Sequence, residues 1–374
     1  GTVTVSPEVE PPLSVTVRLH VWNFALPDRV PFRTTVWPQN REPKDWKTEM
    51  PPEKFLEYCA MFLEHHIDPC TVGSLYVNLK DFSRLDRNIE FCLDRGLQFF
   101  QARRFKTDDG MKTYYEHIKA KGWLDKCFLY GAQDEPTPEQ FKEVVIPDTS
   151  KIRALCPGLR ILLATEWHPN LGKGVDIFMT DVSTGFELYG TPARPRGKEE
   201  LWWYFCHLPI HIDFTRPLVE APNMQIDNDA VEHRIVYWMM WKYGVRGCFV
   251  WNGMSWPRNL NANWPTEEWV VQEEKPSAYP YAGIHNGNGY LVYPGPHPSV
   301  RLKVLRDGAE DYGYLLALKA AKDRLPAQDK AEAERLLKIT PDLVVHTHYF
   351  NRDPNAIPEY RARLARLLEA ANPR

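Results

Sequence analysis

The residues best placed to do chemistry stand together at Phe128-Leu129-Tyr130-Gly131-Ala132-Gln133-Asp134-Glu135-Pro136, an apolar run that ends in two acids and a proline. Neighbouring carboxylates repel one another, which biases one of them towards keeping its proton, as a general acid near neutral pH must. Pro136 stops a strand, and Thr137-Pro138 opens a helix, so both acids fall at a strand-to-helix junction. The competing reading is that Asp134 or Glu135 only caps that helix. Further groups recur at other expected strand ends: Tyr76, Glu166-Trp167-His168, Asp181, Tyr204, His207 and Trp251-Asn252. Aromatic faces stack on sugar rings, while Asn, His and carboxylates bond hydroxyls. Trp251, Trp256 and Trp264 lie in a Pro- and Asn-rich stretch expected as loop, which makes them candidate platforms. Asn223 and Asp227, just ahead of an apolar helix, are candidate substrate ligands. The pairs His65-His66, His207 with His211 and His346 with His348 match no zinc motif, so neither a metal nor a cofactor is expected.

Such groups need a frame that brings distant segments to one place. Eight strands are expected, at Val15–Phe24, Val72–Val77, Leu97–Gln101, Cys127–Gly131, Arg160–Ala164, Asp176–Met179, Leu201–Cys206 and Gly247–Trp251. Helical spacing marks Glu53–His66, Leu85–Arg95, Met111–Lys121, Pro138–Leu155 with a break near Pro147, Asp227–Tyr243 and about Arg306–Leu325. Strand-helix alternation with right-handed crossovers closes into a (β/α)8 barrel of the TIM type, with function at the carboxyl ends of the strands. The alternative, an open doubly wound sheet, would show a glycine-rich phosphate loop after its first strand, and Trp22-Asn23-Phe24-Ala25-Leu26-Pro27 is none. Asp307 followed by Glu310 reads as the N-terminal cap of the last helix. Residues 1–14, with Ser-Pro-Glu-Val-Glu-Pro-Pro, read as a linker, and 15–374 as one catalytic domain.

Composition limits the partners. The 374 residues carry 46 Lys+Arg against 49 Asp+Glu, a net charge of -3, which argues against nucleic acid or a membrane surface as partner. No apolar run of about 18 residues is present to span a bilayer. The 7 cysteines form no C-x-x-C pair and read as small core residues. Pro 32 and Trp 13 are both in excess and fit loop construction around a stacking site for a carbohydrate. No feature marks an oligomer interface.

Several segments, in order and spacing, resemble a known family. They are Lys198-Glu199-Glu200 with Leu201–Cys206 (LWWYFC), Asn223–Asp227 (NMQID), Arg234–Val245 (RIVYWMMWKYGV) with Gly247–Trp251 (GCFVW), Gly287–Gly295 (GNGYLVYPG) and Ser299–Leu315 (SVRLKVLRDGAEDYGYL). Together with Asp134-Glu135-Pro136 they look like the domain of unknown function DUF4091, whose characterised relatives form glycoside hydrolase family 123. The resemblance implies a catalytic barrel often preceded by a β-sandwich domain, a secreted or periplasmic location, and a β-N-acetylgalactosaminidase-type mechanism in which the substrate assists. On that likeness Glu135 is the general acid/base and Asp134 orients the 2-acetamido group of the sugar. Two alternatives stand beside it: a nucleophile from another strand, with Glu166, Asp181 or Asp227 as candidates, and a carbohydrate-binding barrel without turnover.

Overall fold

The computed structural model describes residues 1–41, 49–165, 174–182, 198–206, 221–226, 228–256, 289 and 291–372. Its centre is an eight-stranded parallel sheet: β1 (Arg33–Val36), β2 (Asp68–Pro69), β3 (Phe100–Gln101), β4 (Cys127–Tyr130), β5 (Arg160–Ala164), β6 (Ile177–Asp181), β7 (Glu200–Phe205) and β8 (Gly247–Val250). The order around the sheet is β2-β1-β8-β7-β6-β5-β4-β3, so sequence neighbours pair everywhere except at the seam between β2 and β3. That seam is joined by other means. Asp68 on β2 accepts from the Gln98 backbone N–H at 3.1 Å. Gly73, in the turn after β2, lies so close to Phe100 that an added Cβ would fall 2.2 Å from that ring. A nearly closed (β/α)8 barrel results, as the strand-helix alternation predicts.

Alternate residues of each strand turn inward, as the two-residue period of a pleated strand requires. Phe128, Leu162, Ala164, Ile177, Met179, Trp202 and Phe249, with Phe99 and Cys70, form the buried interior, and Trp37, Tyr130 and Tyr204 pack onto it. The lower end is closed by charge. Glu200 lies 3.1 Å from Arg33 and 3.0 Å from Arg160, accepts from Trp202 Nε1 at 2.9 Å, and Arg33 sits over the Phe99 ring. Burial works against the ionised Glu200, but Trp202, Arg160 and Arg33 prevail and hold its carboxyl below the ordinary range.

Helices cover the outside: α1 (Pro52–Glu64), α2 (Ser83–Leu93), α3 (Asp108–Ala120), α4 (Pro138–Gln140), which runs through a π-helical segment (Phe141–Val145) into α5 (Ile146–Leu155), then α6 (Ala230–Tyr243), α7 (Val300–Ala321), α8 (Ala327–Leu336) and α9 (Ala356–Ala371). Among the described residues no helix is long and apolar enough to cross a membrane.

Three expectations about these elements are corrected. The first barrel strand is Arg33–Val36 and not Val15–Phe24. Leu13–Thr16 instead pairs antiparallel with Thr2–Val5, across the boundary at 14/15 where the linker was expected to end. The alternation in Val15–Phe24 is real, but a parallel barrel strand is covered on both faces, and here Leu19 and Val21 are exposed. The second strand is Asp68–Pro69, and Cys70–Gly73 is a 3-10 turn where a strand was expected from Val72. The last long helix starts earlier than Arg306. Its cap is Ser299, whose hydroxyl accepts from the Leu302 N–H at 3.2 Å, so Asp307 and Glu310 lie within α7.

Asp311 in the same helix is fully buried. It accepts from Arg234 Nε at 2.6 Å and Nη2 at 2.9 Å, from Trp238 Nε1 at 3.1 Å and from Arg361 Nη1 at 3.3 Å. That arrangement ties α6, α7 and α9 into one block. The seven cysteines carry free thiols, six of them buried.

Candidate active site

The ladder of β4 runs one step past the strand: the Gly131 N–H donates to the Leu162 carbonyl at 2.8 Å. A Cβ at Gly131 would fall 2.5 Å from Leu163 Cδ1, so a side chain there would push the Leu163 side chain aside. Arg104 secures the same point, donating to the Tyr130 carbonyl at 2.8 Å and to Asp148 at 2.9 Å. From this fixed end the chain rises through Gln133 to Asp134 and Glu135, both exposed at the rim. Glu135 has φ +42°, a left-handed conformation that costs energy in a residue with a side chain and clusters at functional sites.

Neither acid caps the next helix. Thr137 does so: its hydroxyl accepts from the Gln140 N–H at 3.2 Å, and the Gln140 side chain accepts from the Thr137 N–H at 3.0 Å. This reciprocal capping box leaves both carboxylates free for other work.

Each acid is instead held by a tyrosine. Tyr130, inward-facing on β4, donates its hydroxyl to Asp134 Oδ1 at 2.6 Å. Tyr204, inward-facing on β7, reaches across the barrel mouth and donates to Glu135 Oε1 at 2.7 Å. The Tyr130 ring is braced by Trp37 at 5.2 Å and Phe249 at 6.4 Å. Burial, reinforced by the carboxylates they touch, pushes both phenols well above the usual tyrosine range. They therefore stay protonated and act as donors. Asp181, the last residue of β6, is buried, stands in register with Tyr204 in the adjacent strand, and its charge adds to the upward push on that phenol.

The ends of β7 and β8 form a small cavity, with room for about one water, lined by Phe205, Cys206, Asn223, Gln225, Trp251 and Asn252 among others. Its Phe205 and Val250 walls belong to the outer layer of the core, whereas Tyr130 and Tyr204 pack on the barrel interior. Asn223 is fixed in three ways. Its Nδ2 donates to the Cys206 carbonyl at 3.3 Å, its Oδ1 accepts from the Met224 N–H at 2.6 Å, and its carbonyl meets His233 Nδ1 at 2.8 Å. Burial, seconded by the charge of Arg301, lowers His233 to about 4, so it is neutral at pH 7. Asn252 Oδ1 accepts from the Met254 N–H at 2.8 Å, which orients its amide at the cavity wall. Among the described residues no group of His, Cys, Asp and Glu is assembled to hold a metal.

The structure thus gathers Asp134, Glu135 and Tyr204 at one point, and Asn223, Trp251 and Asn252 around the small cavity at the ends of β7 and β8. Two other expected ligands lie elsewhere. Tyr76 donates to the Met50 carbonyl at 2.9 Å with its ring against Phe55. Trp256 is buried in the core against Tyr58 and donates to the Val292 carbonyl at 2.7 Å. Trp167, His207 and Asp227 lie outside the described residues, as do Glu166, His168 and Trp264. Tyr130 and Trp37 were not foreseen. The signal for Tyr130 was available, since it lies two residues after inward-facing Phe128 and four before Asp134.

Comparison with known proteins adds an independent line. The family model described as "Glycoside hydrolase 123, catalytic domain" matches residues 107–318, which include both acids, both tyrosines and the cavity wall. No curated protein matches the chain. Among solved structures, one titled a glycoside hydrolase shares 13% identity, covering 80% of this chain and 72% of its own, with a TM-score of 0.35. A glycoside hydrolase family 5 protein from Bacteroides vulgatus shares 12% identity, covering 80% of this chain and 69% of its own, with a TM-score of 0.36.

Proposed function

Because the chain belongs to the glycoside hydrolase 123 family, it is a glycoside hydrolase, and we propose that it cleaves β-linked N-acetylhexosamines, N-acetylgalactosamine foremost, with retention and with the substrate's own acetamido oxygen as nucleophile. The observation that carries this reading is the separate anchoring of two adjacent acids, Asp134 by Tyr130 and Glu135 by Tyr204. A standard retaining pair brackets the sugar from both faces with carboxyl groups about 5 Å apart. Adjacent residues on one short loop are poorly suited to that, and well suited to act side by side on one face.

In the first step Glu135, protonated, gives its proton to the leaving oxygen while the acetamido oxygen attacks the anomeric carbon. Asp134 orients the amide and stabilises the positive charge that develops on the oxazolinium ring. In the second step Glu135, now ionised, takes a proton from water as that water opens the ring, and the starting state returns.

Glu135→Gln assayed on an aryl β-N-acetylgalactosaminide should lose at least about 100-fold in kcat/KM; parent-like turnover would sink the assignment. A thiazoline that mimics the cyclic intermediate should compete with substrate, and absence of inhibition would argue against acetamido participation. Aryl glycosides with and without the 2-acetamido group compare the sugars directly. A second reading is favoured by the buried Asp181 beside Tyr204, which would serve as an enzymic nucleophile. A 2-fluoro sugar that left a covalent adduct on Asp181 would favour it over the first.

A further inference from the structure

Resting on the reading of Glu135 as acid/base and Asp134 as the acetamido partner, we propose that Tyr204 and Tyr130 are positioning residues with divided tasks: Tyr204 aims Glu135 at the leaving oxygen, and Tyr130 aims Asp134 at the acetamido group. The two phenols differ in where they come from. Tyr130 belongs to the strand that carries the acids, so it holds Asp134 locally, four residues away. Tyr204 stands on β7, separated from β4 by β5 and β6, and holds Glu135 from the far wall of the barrel.

A reason for each anchor lies in the loop itself. Glu135 is exposed, has rotatable side-chain bonds to spare, and sits on left-handed backbone just before Pro136. Without a partner its carboxyl would spread over several rotamers. A tyrosine is a stiff arm with two side-chain torsions, and both arms are set in the packed interior of the barrel. Burial keeps both hydroxyls protonated, so neither anchor releases as the medium becomes alkaline. Because Tyr130 and Tyr204 arise from different strands, the two carboxylates are drawn in different directions although their backbones are adjacent. Displacement of a catalytic group by about 1 Å costs on the order of 100-fold in rate.

The test is a pair of hydroxyl deletions read against leaving-group ability. Tyr204→Phe should lower kcat about 100-fold on a poor phenol leaving group and less than about 10-fold on a dinitrophenol that needs little protonation, with KM nearly unchanged. Added azide should restore part of the turnover of the dinitrophenyl substrate by replacing general-base attack of water, giving the β-glycosyl azide. Tyr130→Phe should lower kcat to the same extent on both leaving groups and should not respond to azide. It should also weaken inhibition by the thiazoline about as much as it lowers kcat, on the order of 100-fold, whereas Tyr204→Phe leaves that inhibition at the parent level. Unchanged thiazoline inhibition in Tyr130→Phe would overturn its role. A loss in Tyr204→Phe that is equal on both leaving groups would mean structural support only and would overturn the proposal, as would parent-like rates. If Tyr204→Phe fails to fold, 3-fluorotyrosine at position 204 keeps the ring and the donor. It should retain activity on both leaving groups, and a loss equal on both would overturn the proposal. Glu135→Gln, run alongside, separates the two levels: parent-like activity there overturns the reading of Glu135 and the role of Tyr204 with it. Loss there beside a parent-like Tyr204→Phe overturns the positioning role alone.

Discussion

The carboxylates at the barrel mouth and the one between the outer helices are held in opposite ways. Asp311 has no exposure and is bonded by Arg234, Trp238 and Arg361. Asp134 and Glu135 are exposed and are each held through one tyrosine hydroxyl. Burial raises the Asp311 carboxyl above its ordinary value even so, because the donors offset the loss of water only in part. On the proposed function, the contrast sets a structural acid against two chemical ones, whatever the length of the motif each belongs to. Asp311 lies in one of the longest family-like segments of the chain, yet its bonds bind helices together. Asp134 and Glu135 belong to a short motif, yet they keep free lone pairs at the place where strands end.

The contrast can be broken from either side. Removing the carboxyl group at the rim should have the largest effect: Glu135→Gln should lose about 100- to 10,000-fold in activity while the urea midpoint stays that of the parent. A shift in that midpoint comparable with the Asp311 variant would erase the distinction. Asp311→Ala should do the reverse, lowering unfolding free energy by about 3–5 kcal/mol because it leaves the Arg234 charge without its buried partner. The residual folded fraction should keep parent kcat.

Behind the cavity wall, His233 sharpens the comparison through pH. Its folded value is lowered to about 4 from 6.5, first by burial and then by Arg301. Between these values the unfolded chain binds more protons than the folded one, so stability falls as pH drops from 6.5 through 4. The loss assignable to His233 should be roughly 3 kcal/mol by urea titration, and His233→Gln should flatten that part of the curve. Smallest of all, Thr137→Ala should cost about 1 kcal/mol by removing the helix cap and leave kcat/KM within a few-fold of the parent. A rate loss as large as that of Glu135→Gln would mean that the cap and the acids are not separate.

Most barrel strands were legible because their apolar runs are long enough to be buried on both faces: Arg160–Ala164 matches throughout, and Cys127–Tyr130, Glu200–Phe205 and Gly247–Val250 match within one residue at either end. The first two strands were not. Arg33–Val36 begins with the arginine that closes the barrel floor and continues with two threonines, one bonded to Tyr237, so it carries little apolar pattern. Asp68–Pro69 is too short to carry any. The acid pair was legible because strand, acids and proline are contiguous. Its anchors were harder, since contact across a barrel joins residues 69 positions apart, and Tyr130 reads simply as another core aromatic. Trp256 shows the converse limit: a tryptophan in a proline-rich stretch may be read as a platform by composition, but this one folds back to bury its ring and spend its N–H on Val292.

The charged closure beneath Phe99 gives the barrel a floor. Arg33, Glu200 and Arg160 shut the lower end, and Phe99, Phe128 and Trp202 fill the interior above them. A ligand therefore meets the acids from the rim, where Asp134 and Glu135 stand exposed, and the floor acts as a keel that holds the strands in register beneath them.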